Sequence, residues 1–251
     1  MRSPRVVGRR QVPAALWGIA AGLFGLLAAA PLLANPGFLL TRGGGDSPFL
    51  LQRLYELAAA LASGQFPERW MTNADYGFGY PFFNYYAALP YYLAALFHFY
   101  GFSYVAALKL TQAAALLVAA GGAYGWARSL GLSRAQALLA AAAYSFAPFH
   151  LVNLYVRGDS LSELWAMSFY PLVLWAAQRC IQRPRLRPAL ALAGCTALLI
   201  ITHNISALNF MPFVGLALAL GGLAAWRRDQ TGGAARAAWL PVLIGVGALA
   251  W

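Results

Sequence analysis

The sequence predicts an all-α integral membrane protein, a polytopic helical bundle, and three observations carry that prediction. Only 10% of the residues are charged and 61% are apolar, whereas a soluble domain carries roughly 25% charged residues. The apolar residues fall in long blocks with almost no charge, at 12–34, 105–127, 138–154, 161–177, 190–201 and 207–226. A span needs about 20 such residues, and in lipid the backbone must satisfy its own hydrogen bonds, so the blocks read as helices. The arginines, finally, gather between the blocks: Arg2, Arg5, Arg9 and Arg10 before the first, Arg179, Arg183, Arg185 and Arg187 in one short linker, Arg227, Arg228 and Arg236 in another.

That clustering accounts for the net charge of +11 by the positive-inside rule, under which short cytoplasmic loops hold the Lys and Arg. A nucleic-acid surface would need a folded soluble face for these charges, and none is available, so no nucleic-acid partner is expected. The partner of first resort is the lipid bilayer. Cys180 and Cys195 have the spacing of neither a metal site nor a disulfide scaffold. The first block is longer than the apolar core of a signal peptide and reads as a retained span. Residues 239–251 begin a span without finishing it, so the expectation is a single transmembrane domain over 1–251, an N-terminal module that is either a fragment or a truncated gene product.

Orientation follows from the arginines. With the N-terminus in the cytoplasm, the protein is a multi-pass component of the cell membrane. Residues 35–80 form a first extracytoplasmic loop, and the linkers near Arg128 and Arg134, Arg179 to Arg187, and Arg227 to Arg236 lie inside. The hairpins 135–154 with 161–178 and 189–206 with 207–226 then bring Arg157-Gly158-Asp159 and the turn near His203 outside. The segment 81–100 must start and finish outside. It holds Pro81 and Pro90 and is rich in tyrosine, so it reads as re-entrant or interfacial. The competing reading is a plain span, with Arg128 and Arg134 outside and the charge rule broken once.

The first loop is the longest polar stretch, and long loops on compact scaffolds tend to carry function. Three glycines precede Asp46, and Ser47-Pro48 is a helix start with a capping hydroxyl and a proline at the first position. The following helix is amphipathic. Leu50, Leu54, Leu57 and Leu61 share one stripe, which would lie in the lipid interface, while Gln52, Arg53 and Glu56 face away. Asp46 stands at that helix N-terminus, where the dipole favours a carboxylate that could act as general base or simply cap the helix.

Tyr76-Gly77-Phe78-Gly79-Tyr80-Pro81 with Asn84, Tyr85, Tyr86, Tyr91 and Tyr92 forms a dense aromatic strip. It is either an interfacial belt or a platform for an amphipathic ligand such as a lipid-carried sugar. Arg157, Asp159 and Glu163 form a second outer cluster, with Arg157 suited to a phosphate. His203 and Asn204 form a third, where a polar pair serves as a cap, a helix contact or a ligand. His98 and His150 read as interfacial.

The order of these features resembles a known family. Gly64-Gln65-Phe66-Pro67-Glu68-Arg69-Trp70, the Tyr76-Gly77-Phe78-Gly79-Tyr80-Pro81-Phe82-Phe83-Asn84 strip, Leu89-Pro90-Tyr91-Tyr92-Leu93 and Leu154-Tyr155-Val156-Arg157-Gly158 resemble bacterial multi-span proteins of the 6-pyruvoyl-tetrahydropterin synthase related membrane domain family. Nothing in them points to pterin chemistry. That family is similar in layout to the GT-C glycosyltransferases of the cell envelope, which take sugars from polyprenyl-phosphate carriers at the outer face. The resemblance implies a membrane glycosyltransferase with a polyprenyl-phosphate-linked sugar as donor and an acceptor still to be identified. Asp46 matches the position of the catalytic acidic residue early in the first loop of those enzymes, and Asp159 or Glu163 the second acidic site. Arg157, Arg69, Tyr80, Asn84, Tyr85 and His203 are the substrate-binding candidates. The first loop has no Asp-x-Asp motif, so a divalent metal is allowed by the resemblance but is given no ligands. The alternative is a lipid-linked oligosaccharide transporter or a non-catalytic polysaccharide-export subunit, which would spread charges through the span interiors.

Overall fold

The computed structural model describes residues 13–39, 47–86, 88–158 and 160–228. Among them the chain is all helix and loop, with one isolated bridge between Met71 and Tyr80. The helices are α1 (Ala14–Ala34), α2 (Ser47–Ala62), α3 (Phe82–Tyr85), α4 (Leu89–Phe99), α5 (Tyr104–Ser129), α6 (Arg134–Ser145), α7 (Pro148–Leu151), α8 (Leu161–Gln182), α9 (Leu186–Thr202) and α10 (Asn204–Arg228). A 3-10 turn (Asp75–Gly77) precedes α3, and a π turn (Val152–Arg157) follows α7.

Four segments are long and apolar enough to cross a membrane: Ala15–Ala34, Tyr104–Ser129, Arg134–Arg157 and Asn204–Ala225. Two further helices fall where the sequence predicts spans. Helix α8 has 22 residues, about 33 Å at the usual helical rise, but is more polar. It packs on α5, α9, α10 and α4, so protein rather than lipid covers much of it. Helix α9 has 17 residues. The predicted span over 138–154 falls within Arg134–Arg157, but its helix is interrupted. Proline at 148 disfavours helical backbone at Ala147, so α6 stops at Ser145 and the chain restarts as α7 and the π turn.

Small residues let the long helices approach. A β-carbon on Gly25 of α1 would lie 2.5 Å from the carbonyl oxygen of Leu116 in α5, and one on Gly125 of α5 would lie 2.7 Å from the Trp175 ring of α8. This is how helices pack when lipid supplies no hydrophobic drive between them. Hydroxyls add to it. Ser168 Oγ donates across to the Ala115 carbonyl (2.7 Å), Tyr144 to the Met167 carbonyl (2.7 Å) and Tyr155 to the Ala28 carbonyl (2.6 Å).

The bundle has two chemically different ends. At one, Lys109 donates to the Asn35 carbonyl, joining the start of α5 to the end of α1. The π turn, Glu163 and His203 lie at this same end, called here the loop end. At the other, Gln182 of α8 donates to the Ser129 carbonyl of α5. Arg128, Arg134, Arg179, Arg183, Arg185 and Arg187 stand at the helix termini there, and this is called the basic end. The carboxylates of the described residues, Glu56, Glu68, Asp75 and Glu163, are all at the loop end.

Two local expectations change. Helix α2 is amphipathic and starts and stops where predicted, with Gly64 in left-handed backbone (φ 86°) after it. Its leucines do not face lipid, however. Leu50, Leu54 and Leu57 are at most 1% exposed and join the protein core beside α4 and α5. His150 is not interfacial either. It is buried, with its ring edge-on to Tyr144 at 4.6 Å.

Candidate functional site at the loop end

The mouth of the bundle is built from α2, the 63–81 segment, α3, the start of α4 and the ends of α8, α9 and α10. The tyrosine and glycine strip folds into a compact turn. Gly77 and Gly79 have φ of 91° and 82°, and a β-carbon on Gly79 would fall 2.2 Å from Trp70 Nε1, so glycine is required there. Asp75 and Tyr76 also take left-handed φ, 51° and 56°, a conformation that costs a bulky residue energy and is commonly held at functional sites. Met71 and Tyr80 pair through their backbones, N to O at 2.8 and 3.0 Å, and close the turn.

Two cavities flank α3. The first, about 630 Å³, lies between α2 and the turn and is lined by Phe49, Gln52, Arg53, Asp75, Tyr76, Tyr80 and Phe82. The Arg53 guanidinium lies over the Phe82 ring at 4.3 Å and donates to the Tyr91 hydroxyl at 3.3 Å. The second, about 410 Å³, is walled by Glu68, Arg69, Asn84, Tyr85, Tyr86, Tyr92 and Asn204. Phe66, Tyr76, Phe78 and Tyr85 stand at the same end with more than three quarters of their surface exposed.

Glu56 holds the loop to α2, and Glu68 braces the loop from within. Glu56 Oε2 accepts from the Asn73 backbone N–H and side-chain amide at 3.3 and 3.2 Å, and Glu68 Oε1 accepts from the Trp70 N–H at 3.1 Å. Burial raises the Glu68 carboxyl above its ordinary value; the Trp70 hydrogen bond lowers it in part and the Glu56 charge raises it further.

At the same end the π turn meets α8. Glu163 Oε2 accepts from Asn153 Nδ2 at 2.8 Å and from Arg157 Nη1 at 3.0 Å. Single π turns within helices often mark functional sites, and this one aims Asn153 and Arg157 at the same carboxylate oxygen. His203, between α9 and α10, has Nδ1 2.6 Å from Ser206 Oγ and its ring edge-on to Tyr86 at 6.0 Å. Burial lowers its pKa, and the Glu163 charge opposes that shift.

Of the residues singled out in the sequence, Arg69, Asn84 and Tyr85 share the second cavity, and Tyr80 lines the first. Arg157 and Glu163 are hydrogen-bonded to each other, and His203 touches Tyr86 of the second cavity wall. Asp46 and Asp159 lie outside the described residues. Sequence reading missed Arg53, Glu56, Glu68 and Asp75 as parts of the mouth. The first two sit on the helix face taken as solvent-facing, and no periodicity ties the loop residue Asp75 to Arg53 of α2, 22 positions earlier in the sequence. Among the described residues no three His, Cys, Asp or Glu side chains converge as a metal-ligand set.

A bundle of this kind, with a polar and aromatic mouth at one end and arginines at the other, defines a multi-pass helical membrane protein. The chain belongs to the 6-pyruvoyl-tetrahydropterin synthase related family of membrane proteins, whose model matches residues 83–250. The match includes Asn84, Tyr85, Arg157, Glu163 and His203. An uncharacterised protein of Lactococcus lactis subsp. cremoris is 26% identical over 179 residues, 70% of this chain and 29% of that protein. The chain therefore spans under a third of that relative's length. No solved structure matches.

Proposed function

We propose that the protein is a membrane glycosyltransferase of GT-C type, or the module of one that carries the donor site. It transfers a sugar from a polyprenyl-phosphate carrier to an acceptor hydroxyl at the extracytoplasmic face. The observation that carries this reading is the segregation of the bundle. The described carboxylates, both mouth cavities and the exposed aromatics share one end, and the arginine clusters occupy the other. The positive-inside rule puts the basic end in the cytoplasm, and with it the N-terminus, so the mouth opens outside.

Helix α4 supports that orientation. Its eleven residues extend about 16 Å, roughly half the hydrocarbon thickness. Tyr92 near its start lines a cavity with Ile200, Ile201 and Asn204 at the loop end, and after its end α5 begins at that same end. On this reading 81–100 dips into the outer leaflet and returns.

Aromatic faces bind sugar rings and the first isoprene units, and the Arg69 guanidinium in the second cavity supplies a phosphate partner. Arg157 would join it, its charge partly balanced by Glu163. In the reaction the acceptor oxygen attacks the anomeric carbon and the bond from that carbon to the phosphate oxygen breaks. Polyprenyl phosphate leaves with the electron pair and needs no proton. A carboxylate takes the acceptor proton, and Asp46 is that base, with Glu163 positioned by Asn153 and Arg157 as the second acidic group. The described charges gather at the two ends of the bundle rather than along the span interiors, which favours surface chemistry over transport. The test is transfer of labelled sugar from a synthetic polyprenyl-phosphate hexose in membranes that contain the protein. No transfer above empty membranes, across a panel of hexose donors, would contradict the reading.

A further inference from the structure

The basic end carries a feature that topology alone does not require. Between α8 and α9 an apolar groove of about 420 Å³ is lined by Leu172, Trp175, Ala176, Pro188, Ala191 and Cys195. Three arginines stand at the same groove: Arg179 from the last turn of α8, Arg183 from the linker and Arg187 from the first turn of α9. Arg179 also lies over the Trp175 ring at 5.9 Å. The positive-inside rule asks only that arginines be present in this linker. It does not ask that three of them converge on one apolar cleft from two helices and the turn between them.

The charge is also unbalanced. The carboxylates of the described residues sit at the loop end, and Glu163 starts the same helix whose far end holds Arg179, 16 residues or about 24 Å away. Leu190 and Leu198 of α9 are exposed beside the groove, as expected of a surface that meets acyl chains. An occupant must therefore join an anionic head to an apolar tail.

We propose that the groove between α8 and α9 binds one anionic phospholipid, its phosphate on Arg179, Arg183 and Arg187 and an acyl chain along Trp175, Leu172 and Cys195. Basic pockets between spans on the cytoplasmic side are a general means of holding such headgroups. A free phosphate would meet the same guanidiniums but would leave the apolar wall uncovered. The inference is independent of the sugar-transfer reading, because it concerns the opposite end and needs no donor or acceptor.

The test uses the full chain in nanodiscs and reads tryptophan quenching by phospholipids with brominated acyl chains. Brominated phosphatidylglycerol, present as a minor component, should quench severalfold more than brominated phosphatidylcholine at the same fraction. Trp175→Phe should remove most of that difference. The triple change R179Q, R183Q, R187Q should bring the two lipids to parity. Because those arginines also set topology, Ala191→Phe is the second variant. It leaves every arginine in place, fills the groove, and should likewise abolish the preference. Equal quenching by both lipids in the unaltered protein, or a preference that survives Ala191→Phe, would overturn the proposal. So would inorganic phosphate at millimolar levels displacing the lipid, which would make the site one for the headgroup alone.

Discussion

Arg157 and Glu163 meet across the turn between the π turn and α8, with Nη1 3.0 Å from Oε2, and Asn153 donates to the same oxygen from 2.8 Å. The pair is partly exposed, so solvent screens it and its worth to stability is modest, about 1 kcal/mol or less. Its value lies in fixing the guanidinium at the mouth. Glu163→Gln can still accept from Asn153 but no longer balances Arg157. Thermal stability in detergent should change by only a few degrees, while donor KM and turnover both worsen, turnover by about tenfold or more. Unchanged kinetics would remove the pair from the site.

The close approach of α1 to α5 gives a prediction about stability alone. Gly25→Ala places a methyl 2.5 Å from the Leu116 carbonyl oxygen, and overpacking of this sort costs about 1–3 kcal/mol. Gly18 in the same helix has nothing within 4 Å of the added carbon, so Gly18→Ala should be neutral or slightly stabilising. Thermal unfolding of both variants in one detergent makes the comparison, and equal behaviour would mean that the two helices do not pack as described.

Glu68 gives a pH dependence. Its carboxyl is raised above the ordinary value of 4.5, so the folded protein binds the proton more tightly than the unfolded chain. The stability this supplies is present below about 4.5 and is lost as pH rises through the folded-state value. Glu68→Gln keeps an acceptor for the Trp70 N–H and carries no charge. It should flatten the decline of melting temperature with pH in that window. A slope identical in the two proteins would show that Glu68 is not the group responsible.

Orientation is open to cysteine labelling of intact cells. Cysteines at 75 and 158 should react with an impermeant reagent and one at 184 should not. Cysteines at 80 and 102 should both react if the segment 81–100 returns to the side it left. Reaction at 80 alone would make that segment an ordinary span, and reaction at 184 would reverse the whole assignment.

Much of this arrangement could be read from the chain. The spans follow from apolar blocks, and the ends of α2 from Ser47-Pro48 and Gly64, because these signals are local. What could not be read was what covers a face. A leucine stripe looks the same whether lipid or protein buries it, so Leu54 and Leu57 pointed to the interface when α4 and α5 cover them. For the same reason Arg53 and Glu56 looked solvent-facing. The break before Pro148 was masked by the continuous apolarity of its surroundings. The second cavity draws Arg69, Asn84, Tyr85 and Asn204 from three distant segments, and only tertiary packing brings such residues together.

The claim that the mouth is a sugar-transfer site is tested most directly by Asp46→Asn in a polyprenyl-phosphate hexose assay, with membrane expression measured alongside. Asparagine caps helices about as well as aspartate, so a purely capping role leaves turnover nearly intact. General-base catalysis contributes about 10²–10⁴-fold. The account predicts time-dependent release of polyprenyl phosphate by the unaltered protein and a fall of that order in an Asp46→Asn protein present at normal levels. Release by the variant at the unaltered rate would contradict the assignment of Asp46, and no release by either protein would contradict the transferase itself.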